Sequence, residues 1–403
     1  MDEYKVVSIG CGGTATGVIL PRIRKDRLTG PFTFIARDSA SRFGTKGEYR
    51  LLHFLPPVTE PTTTVMSGYK TINLQYSLEE AIDSISEADI VFTAVGWNGI
   101  HEIGDLFNKA VERKQDKKEP QLIIMVENHL NAVNVLRNQI NGGNYVIAQG
   151  LTGLYVPTLE KNTNHITVRT FGFEDIYIGN DDLGPDLDQF KRIEHVSDRL
   201  RIIDNFNVYS TFKSFVQVGP LTGSNWRTYY SGKNKVHEVF LNEDSKKMLF
   251  GCIEEGIIAL KYKFANLDTT FTKDSFLKDY NDINTAILAM PEMNDDVTRA
   301  GQKPITKLWK EERVVAPALA CLEAGVEPIH FSQAIAYGLK FDYEKDDEAA
   351  RLKNMIKEKG IDYTISKVCQ LSPSISKEKK LIDLIKSSYR EIDHSTKNEK
   401  GGL

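Results

Sequence analysis

The chain has 403 residues, 41% hydrophobic and 26% charged, proportions that exclude a disordered or fibrous protein and leave room for two or three domains. Its formal net charge of −4 gives no electrostatic reason to expect nucleic acid or an anionic membrane as a partner. Four scattered cysteines without a CxxC pair, and the lack of a signal-like or bilayer-spanning apolar run, predict a cytoplasmic protein.

The first two hundred residues alternate short apolar runs with amphipathic stretches. Parallel strands buried on both faces show such continuous runs, so strands are predicted at 5–10, 32–36, 90–96, 121–128 and 144–150. Between them, residues 76–89 and 101–118 carry apolar side chains at helical spacing. The β-α-β order predicts an α/β fold with a doubly wound, mainly parallel sheet.

Three further segments complete the predicted organisation. Residues 48–75 are rich in Thr and Pro and predict an inserted hairpin or loop. The Gly, Pro and Asp cluster between Gly179 and Phe190 predicts a boundary, with the nucleotide-binding domain at 1–189 and a mostly α-helical substrate domain at 190–390. Residues 391–403 carry little apolar surface and are expected to be disordered.

A glycine-rich turn follows the first predicted strand directly. In SIGCGGTATG, Gly10, Gly12 and Ala15 match G-x-G-x-x-(G/A), a spacing that allows a tight turn, a close approach to a pyrophosphate and close helix packing. Gly13 lies within the same turn and is expected to contact the cofactor. The strand before it and the helical pattern after it favour dinucleotide binding over an ordinary glycine turn.

The end of the second strand indicates which coenzyme is preferred. Proteins that favour NAD place Asp or Glu there on the ribose hydroxyl, whereas this chain has Ala36 followed by Arg37. A guanidinium can bind a 2′-phosphate that a carboxylate would repel, so NADP(H) is expected ahead of NAD(H). Alternatively, Arg37 is solvated and Asp38 takes the ribose; Arg42 is a possible second phosphate contact.

Two more strand ends are predicted to line the same site. Ligands bind outside the carboxyl ends of parallel strands, which places Thr93, Ala94, Val95 and Gly96, followed by Glu127 and Asn128, around the nicotinamide and the reacting centre. Asn128 follows the next strand and either polarises a carbonyl or forms a turn. The histidines show no metal-binding spacing, so no metal is assigned.

The segments TAVG, VENHLNA, DDVTRAGQKPITKL and ALACLEAGVEP resemble the polyol-specific long-chain dehydrogenase/reductase family, in particular its mannitol-1-phosphate 5-dehydrogenases. The resemblance implies a Rossmann domain followed by a helical domain, with hydride transfer between a nicotinamide and a polyol or ketose and no metal. It also implies a K-x4-N-x2-H pattern, in which Lys exchanges the proton while Asn and His polarise the carbonyl.

Carried onto this chain, the resemblance places the catalytic lysine at Lys213 and the strand-end asparagine at Asn128. Val218 and Leu221 stand where the family has Asn and His, and neither side chain can donate a hydrogen bond. The activity is therefore uncertain from the sequence. Three downstream polar residues offer compensation, each with a structural role as the alternative: Gln217, Asn225 and His237.

A basic segment is the candidate anchor for a substrate phosphate or carboxylate. Arg299, Lys303 and Lys307 lie where Gly301 and Pro304 predict a loop or broken helix, although an ordinary solvated loop remains the alternative. The resemblance implies basic residues at Arg299 and Lys307.

The sequence therefore supports an NADP(H)-dependent oxidoreductase acting on a small polyol, ketose or sugar phosphate. Two alternatives stay open: a reductase for an unrelated carbonyl or imine compound with a rebuilt pocket, and a non-catalytic NADP(H)-binding protein. The expected partner is a small molecule, possibly phosphorylated, and neither nucleic acid nor membrane.

Overall fold

The structure is a computed structural model that describes residues 4–25, 32–37, 43, 47–54, 60–113, 120–127, 132–152, 158–161, 166–171, 176–179, 200–203, 206–264, 297 and 301–400. The chain divides into two compact units, Met1–Asn207 and Val208–Leu403. The sequence analysis predicts a boundary at residue 189, and the two values differ because the strand Leu200–Ile203 pairs within the sheet of the first unit.

The strands of the first unit are β1 (Val6–Ile9), β2 (Phe32–Ala36), β3 (Glu48–Phe54), β4 (Thr62–Ser67), β5 (Tyr69–Asn73), β6 (Ile90–Thr93), β7 (Gln121–Val126), β8 (Tyr145–Thr152), β9 (Thr158–Lys161), β10 (Ile166–Phe171), β11 (Ile176–Gly179) and β12 (Leu200–Ile203). Its helices include a π-helical turn, π1 (Ala15–Ile19), and four α-helices: α1 (Leu20–Lys25), α2 (Leu78–Glu87), α3 (Trp97–Arg113) and α4 (Ala132–Arg137).

Eight strands form one sheet in the order β12-β11-β8-β7-β6-β1-β2-β5. Every neighbouring pair from β8 to β5 in this order is parallel. β11 pairs antiparallel with β8. The order reverses direction between β1 and β6, which is the point where ligands bind in a Rossmann sheet. The predicted fold class, a Rossmann sheet that is mainly parallel, is confirmed.

Both faces of this sheet are buried, which explains its continuous apolar strands. Within β1, Val6 packs into one hydrophobic cluster whereas Val7 and Ile9 pack into another. Alternate side chains of a strand point to opposite faces, so each face requires its own apolar cover. A run such as VVSI therefore has no polar alternation, and all four of its residues are buried.

The segment 48–75, predicted as an inserted hairpin or loop, contains three strands. β3 and β4 pair antiparallel, and β10 and β9 extend them into a second sheet in the order β4-β3-β10-β9. β5 instead joins the edge of the main sheet beside β2. The prediction of a hairpin is right for β3 and β4 but misses β5. In YKTIN, the sequence of β5, polar and apolar residues alternate weakly and Ile72 is the one buried residue, so the pattern gives little indication of a strand.

The second unit is helical, as predicted, in the part of the chain that the structure describes. Its elements are α5 (Phe206–Phe212), the π-helical turn π2 (Lys213–Val218), α6 (Gly219–Tyr230), α7 (Glu238–Leu241), α8 (Glu243–Lys263), α9 (Pro304–Lys307), α10 (Val315–Glu323), α11 (Ile329–Leu339), α12 (Asp347–Lys359), α13 (Ile361–Val368) and α14 (Ser376–Lys400). The side chain of Trp226 is buried in its core, and the indole Nε1 donates to the carbonyl of Gly301 at 2.9 Å.

The carboxyl-terminal segment differs from the expectation of disorder after residue 390. α14 extends to Lys400, and its buried apolar stripe, Leu381, Ile385 and Ile392, reaches two residues beyond the predicted end of the domain. Asp393 also forms an ion pair with Lys340. Within the described residues, no helix combines the length and apolar character that a membrane crossing requires.

Candidate functional site

The glycine turn lies at the carboxyl end of β1 and begins the helix that contains π1. Gly10 has φ of +109°, and a Cβ there would lie 2.3 Å from the carbonyl oxygen of Ala94. Gly12 is different, because a Cβ on it would meet nothing within 4 Å. Gly10 is thus required by the fold, whereas Gly12 leaves open space beside the start of the helix, as the predicted approach of a pyrophosphate needs.

The other residues of the motif have separate roles. Gly13 lies in the first helical turn and is partly buried, whereas Ala15 is fully buried in the core and packs helix against sheet. A Cβ on Gly17 would lie 2.3 Å from Cγ2 of Thr170, so the small residue lets π1 approach β10. The hydroxyl of Tyr49 on β3 donates a hydrogen bond to the carbonyl of Thr16 in π1 at 2.5 Å.

A cleft of about 620 Å³ opens at this turn, a volume suited to a small molecule or cofactor. Six of the predicted cofactor residues line it: Gly10, Gly12, Ala36, Arg37, Ala94 and Val95. Its apolar walls come from α2, α3 and the turn after β5, through Leu74, Leu78, Ile103 and Leu106. Polar side chains also line it, namely Gln75, Glu102, Asp105 and Lys109. Thr93 and Gly96 are adjacent but do not line this cleft, and Thr93 is fully buried.

Arg37 lies at the rim of the cleft, directly after β2. Its side chain is 62% exposed, and its Nη2 lies 2.5 Å from Oε2 of Glu102 on α3, which is 55% exposed. Ala36 contributes no functional group of its own. The end of β2 therefore presents the guanidinium of Arg37, paired with the carboxylate of Glu102 from α3. Asp38 and Arg42, the other predicted ribose and phosphate contacts, lie outside the described residues.

Glu127, at the end of β7, holds the turn between β6 and α3. Its carboxylate accepts hydrogen bonds from the amides of Val95 at 2.8 Å and Gly96 at 3.0 Å. Burial raises the pKa of Glu127 to about 7, in opposition to these two hydrogen bonds, which lower it. The Val95 and Gly96 amides are thus used internally, so these residues can meet a cofactor only through their carbonyls and side chains.

In the second unit, Lys213 is the first residue of π2 and is buried, with 8% of its surface exposed. Burial, aided by the positive charge of Arg313, lowers the pKa of Lys213 to about 7. A lysine in this state can both release and accept a proton near neutral pH.

Two close backbone approaches flank π2. A Cβ on Gly219, just after it, would lie 2.0 Å from the carbonyl oxygen of Arg313. A Cβ on Gly256 of α8 would lie 2.3 Å from the carbonyl oxygen of Phe215 within the π turn. Side chains at these two positions would push both neighbours away, so the glycines allow the enclosure that buries Lys213.

The predicted anionic site surrounds α9. Lys303 is exposed with φ of 58°, an unfavourable conformation for a residue with a Cβ. Asp346 and Glu348 hold this turn: they accept from the amides of Lys303 at 2.8 Å and Thr306 at 2.9 Å. The pKa of Lys307 is lowered to about 7 by burial and Arg313, although Asp346 and Glu348 act in the opposite direction.

The two remaining predicted site residues, Asn128 and Arg299, lie outside the described residues. Among those described, no group of three or more His, Cys, Asp or Glu side chains is arranged to hold a metal ion.

Helical geometry separates the three compensating residues. Asn225 is 12 residues after Lys213, about 18 Å along a helix axis, too far for the two side chains to contact the same substrate atom. Gln217 lies one π turn after Lys213, on the same side of the helix, and is partly exposed. His237 is on a separate element, at the start of α7.

Comparisons with known proteins match a family model to part of the second unit and curated relatives to nearly the whole chain. Residues 224–393 match the family model described as "Mannitol dehydrogenase C-terminal domain". The chain therefore resembles the mannitol dehydrogenases.

Two curated relatives match this chain over nearly its full length. The mannitol-1-phosphate 5-dehydrogenase of Caldanaerobacter subterraneus is 24% identical over 401 residues, covering 96% of this chain and 98% of the relative. That of Thermoanaerobacter pseudethanolicus is 25% identical over 399 residues, covering 96% and 98%. These relatives are dehydrogenases, which supports an oxidoreductase.

A solved structure confirms the fold. The mannitol 2-dehydrogenase of Pseudomonas fluorescens, in a ternary complex with NAD and D-mannitol, superposes with a TM-score of 0.70 at 11% identity, covering 97% of this chain and 92% of that chain. This likeness concerns the fold, while the family model and the curated relatives confirm the predicted resemblance to mannitol dehydrogenases.

Glu127, which the sequence analysis places near the nicotinamide, is the first polar residue after β7. Two other residues are absent from the sequence-based list of site residues. Glu102 gave no signal, because it lies 65 residues from its partner Arg37. Arg313 adjoins the basic segment, but its influence on both Lys213 and Lys307 depends on packing.

Proposed function

We propose that this protein is an NADP(H)-dependent oxidoreductase that transfers a hydride between the nicotinamide and a small polyol, ketose or sugar phosphate. The observation that carries the proposal is Lys213, buried in a π-helical turn with its pKa lowered to about 7. A surface lysine would remain protonated near neutral pH and could not act as a base, whereas this one can serve as base and acid in turn.

The cleft in the first unit supplies the coenzyme end of the proposal. Gly12 leaves room for the pyrophosphate beside the helix amides, and Leu78, Ile103 and Leu106 provide apolar surface for the adenine. NADP(H) is favoured over NAD(H) because Ala36 brings no carboxylate and Arg37 brings a guanidinium. The bound nicotinamide would supply or accept the hydride.

The proton in the proposed reaction passes through Lys213. When hydride reaches a carbonyl carbon, the oxygen gains negative charge and takes a proton from the Lys213 ammonium; in the oxidation direction, the neutral amine accepts the hydroxyl proton. Asn128 is proposed to polarise the carbonyl. Gln217 is proposed to replace the donor lost at Val218, since its amide is one π turn from Lys213.

A substrate phosphate is proposed to bind at Arg299, Lys303 and Lys307. The φ of +58° at Lys303, held in place by Asp346, supports a functional turn here, because an unfavourable backbone conformation persists only where surrounding contacts enforce it. The substrate's negative charge would also favour the protonated form of Lys307, which burial otherwise opposes.

The experiment measures consumption of NADPH and NADH by the purified protein with ketoses, their phosphates and unrelated carbonyl compounds. We expect saturable turnover with a ketose or ketose phosphate and a lower KM for NADPH than for NADH. Lys307→Met should raise KM for a phosphorylated substrate about tenfold or more, with a smaller effect on its unphosphorylated counterpart. Turnover confined to an unrelated carbonyl or imine compound would replace the polyol assignment.

A non-catalytic NADP(H)-binding protein is the second candidate, favoured by Val218 and Leu221. Both are apolar where the resemblance implies hydrogen-bond donors, and neither is fully buried. Turnover by the wild type and its loss in Gln217→Leu would favour the enzyme. If Gln217 polarises the carbonyl, this variant loses about 10²-fold in kcat while its coenzyme affinity stays unchanged. Tight coenzyme binding without turnover on any carbonyl would instead establish the second candidate.

A further inference from the structure

The coenzyme cleft contains an ion pair whose function the fold does not explain. Arg37 follows β2 and Glu102 lies in the second turn of α3, and their charged atoms are 2.5 Å apart at the cleft rim. Both side chains are more than half exposed, and exposed pairs of this kind contribute little to stability. Both residues also line the cleft itself.

The position of the pair bears directly on the 2′-position of the adenosine ribose. In a sheet of this order, the residue at the end of the second strand faces that ribose. Here that residue is Ala36, which is too short to reach a hydroxyl or a phosphate. Among the described residues that line the cleft, Arg37 directly follows Ala36 in the chain, and Glu102 is the carboxylate paired with Arg37.

Resting on the proposed function, we propose that Glu102 sets the coenzyme preference by competing with the 2′-phosphate of NADP(H) for the guanidinium of Arg37. A 2′-phosphate must displace the carboxylate before it can bind Arg37 bidentately, and it then lies close to the released negative charge. NAD(H) has a hydroxyl at this position and requires no such exchange. Glu102 thus lowers NADP(H) affinity selectively and keeps NAD(H) competitive.

The test measures dissociation constants of NADPH, NADH and 2′,5′-ADP by calorimetric titration, which needs no substrate. We expect Glu102→Gln to bind NADPH and 2′,5′-ADP about three- to tenfold more tightly, with NADH affinity unchanged within about twofold. Arg37→Gln should weaken NADPH by a similar factor or more and leave NADH unchanged. Thermal unfolding of both variants should match the wild type, since the pair is exposed.

Asp105→Asn is the matched control. Asp105 lies on the same helix and lines the same cleft, so its substitution removes the same charge one turn away. We expect the change in the logarithm of NADPH affinity in Asp105→Asn to be less than half of the change in Glu102→Gln. An equal gain for the two variants would overturn the proposal, because it would show a general charge effect rather than exchange of Arg37 between partners.

The double variant completes the test. When Arg37 is already Gln, the substitution Glu102→Gln frees no guanidinium. Glu102→Gln should therefore raise NADPH affinity less in the Arg37→Gln variant than in the wild type. An unchanged gain would contradict competition for Arg37. A loss of NADH affinity in Glu102→Gln would also overturn it, since Glu102 would then bind the ribose hydroxyl. If the wild type binds neither NADPH nor NADH, the proposed function itself fails. This outcome differs from failure of the Glu102 proposal, in which the wild type still binds a coenzyme.

Discussion

The two π-helical turns of this protein make an instructive comparison, because both adjoin candidate functional residues and use them differently. π1 follows the glycine turn, and that site is made largely from backbone: an open approach at Gly12 and a close backbone contact at Gly10. π2 begins with Lys213, where the proposed function depends on one side chain and its burial. A backbone site is fixed by which residues lack a Cβ, whereas a side-chain site depends on everything packed around it.

The largest expected effect tests the side-chain site. Lys213→Ala should lower kcat by about 10²–10⁴-fold, the usual contribution of a general acid–base, while the dissociation constant for NADPH stays within about twofold. Lys261→Ala, an exposed lysine on α8, is the control and should retain wild-type kinetics. A rate unaffected by loss of Lys213 would remove the proposed mechanism.

The backbone site is tested by a pair of glycine variants. Gly10→Ala forces a Cβ against the Ala94 carbonyl at positive φ, so it should lower the free energy of unfolding by about 1–3 kcal/mol as well as weaken coenzyme binding. Gly12→Ala has no such clash, so it should retain the wild-type Tm but lose about tenfold or more in coenzyme affinity, measured by titration. Similar Tm losses in both variants would contradict the division of roles.

The pH dependence sharpens the account of Lys213. Its pKa is about 7, so kcat/KM for alcohol oxidation, which needs the neutral amine, should rise with pH through about 7. Carbonyl reduction needs the ammonium and should fall over the same range. Arg313→Gln removes a charge that lowers this pKa, so the inflection should move to higher pH, whereas Arg313→Lys should leave it near its original position.

Lys307 also has a pKa of about 7 and could produce the same inflection. The profile of Lys307→Met separates the two groups: it should keep the inflection near 7 if Lys213 is responsible. A flat profile in this variant would assign the titration to Lys307 instead.

The smallest effect is expected at Glu127. Glu127→Gln keeps one acceptor for the Val95 and Gly96 amides and loses the other, so stability should fall by about 1 kcal/mol and coenzyme affinity by a few-fold. Thermal unfolding and titration measure both. An unchanged Tm with strongly altered kcat would show instead that Glu127 acts in the chemistry.

The sequence alone determined the main sheet and the coenzyme turn. The runs VVSI and FTFIA are mainly apolar because both faces of the sheet are covered. Gly10 is predictable because the spacing G-x-G-x-x-(G/A) directly follows a strand, where the chain must make a tight turn. Local periodicity and glycine spacing suffice for such features. The same reasoning missed β5, because a weakly alternating strand acquires its structure from the neighbouring strand with which it pairs.

Tertiary structure alone decided the charge properties of the sites. Nothing in the sequence around Lys213 shows that Gly219 and Gly256 let two backbone segments enclose it, or that Arg313 adds its charge. Likewise, the pairing of Arg37 with Glu102 joins residues 65 positions apart. The physical reason is that solvation and Coulomb interactions depend on distance through space, which only the folded chain sets.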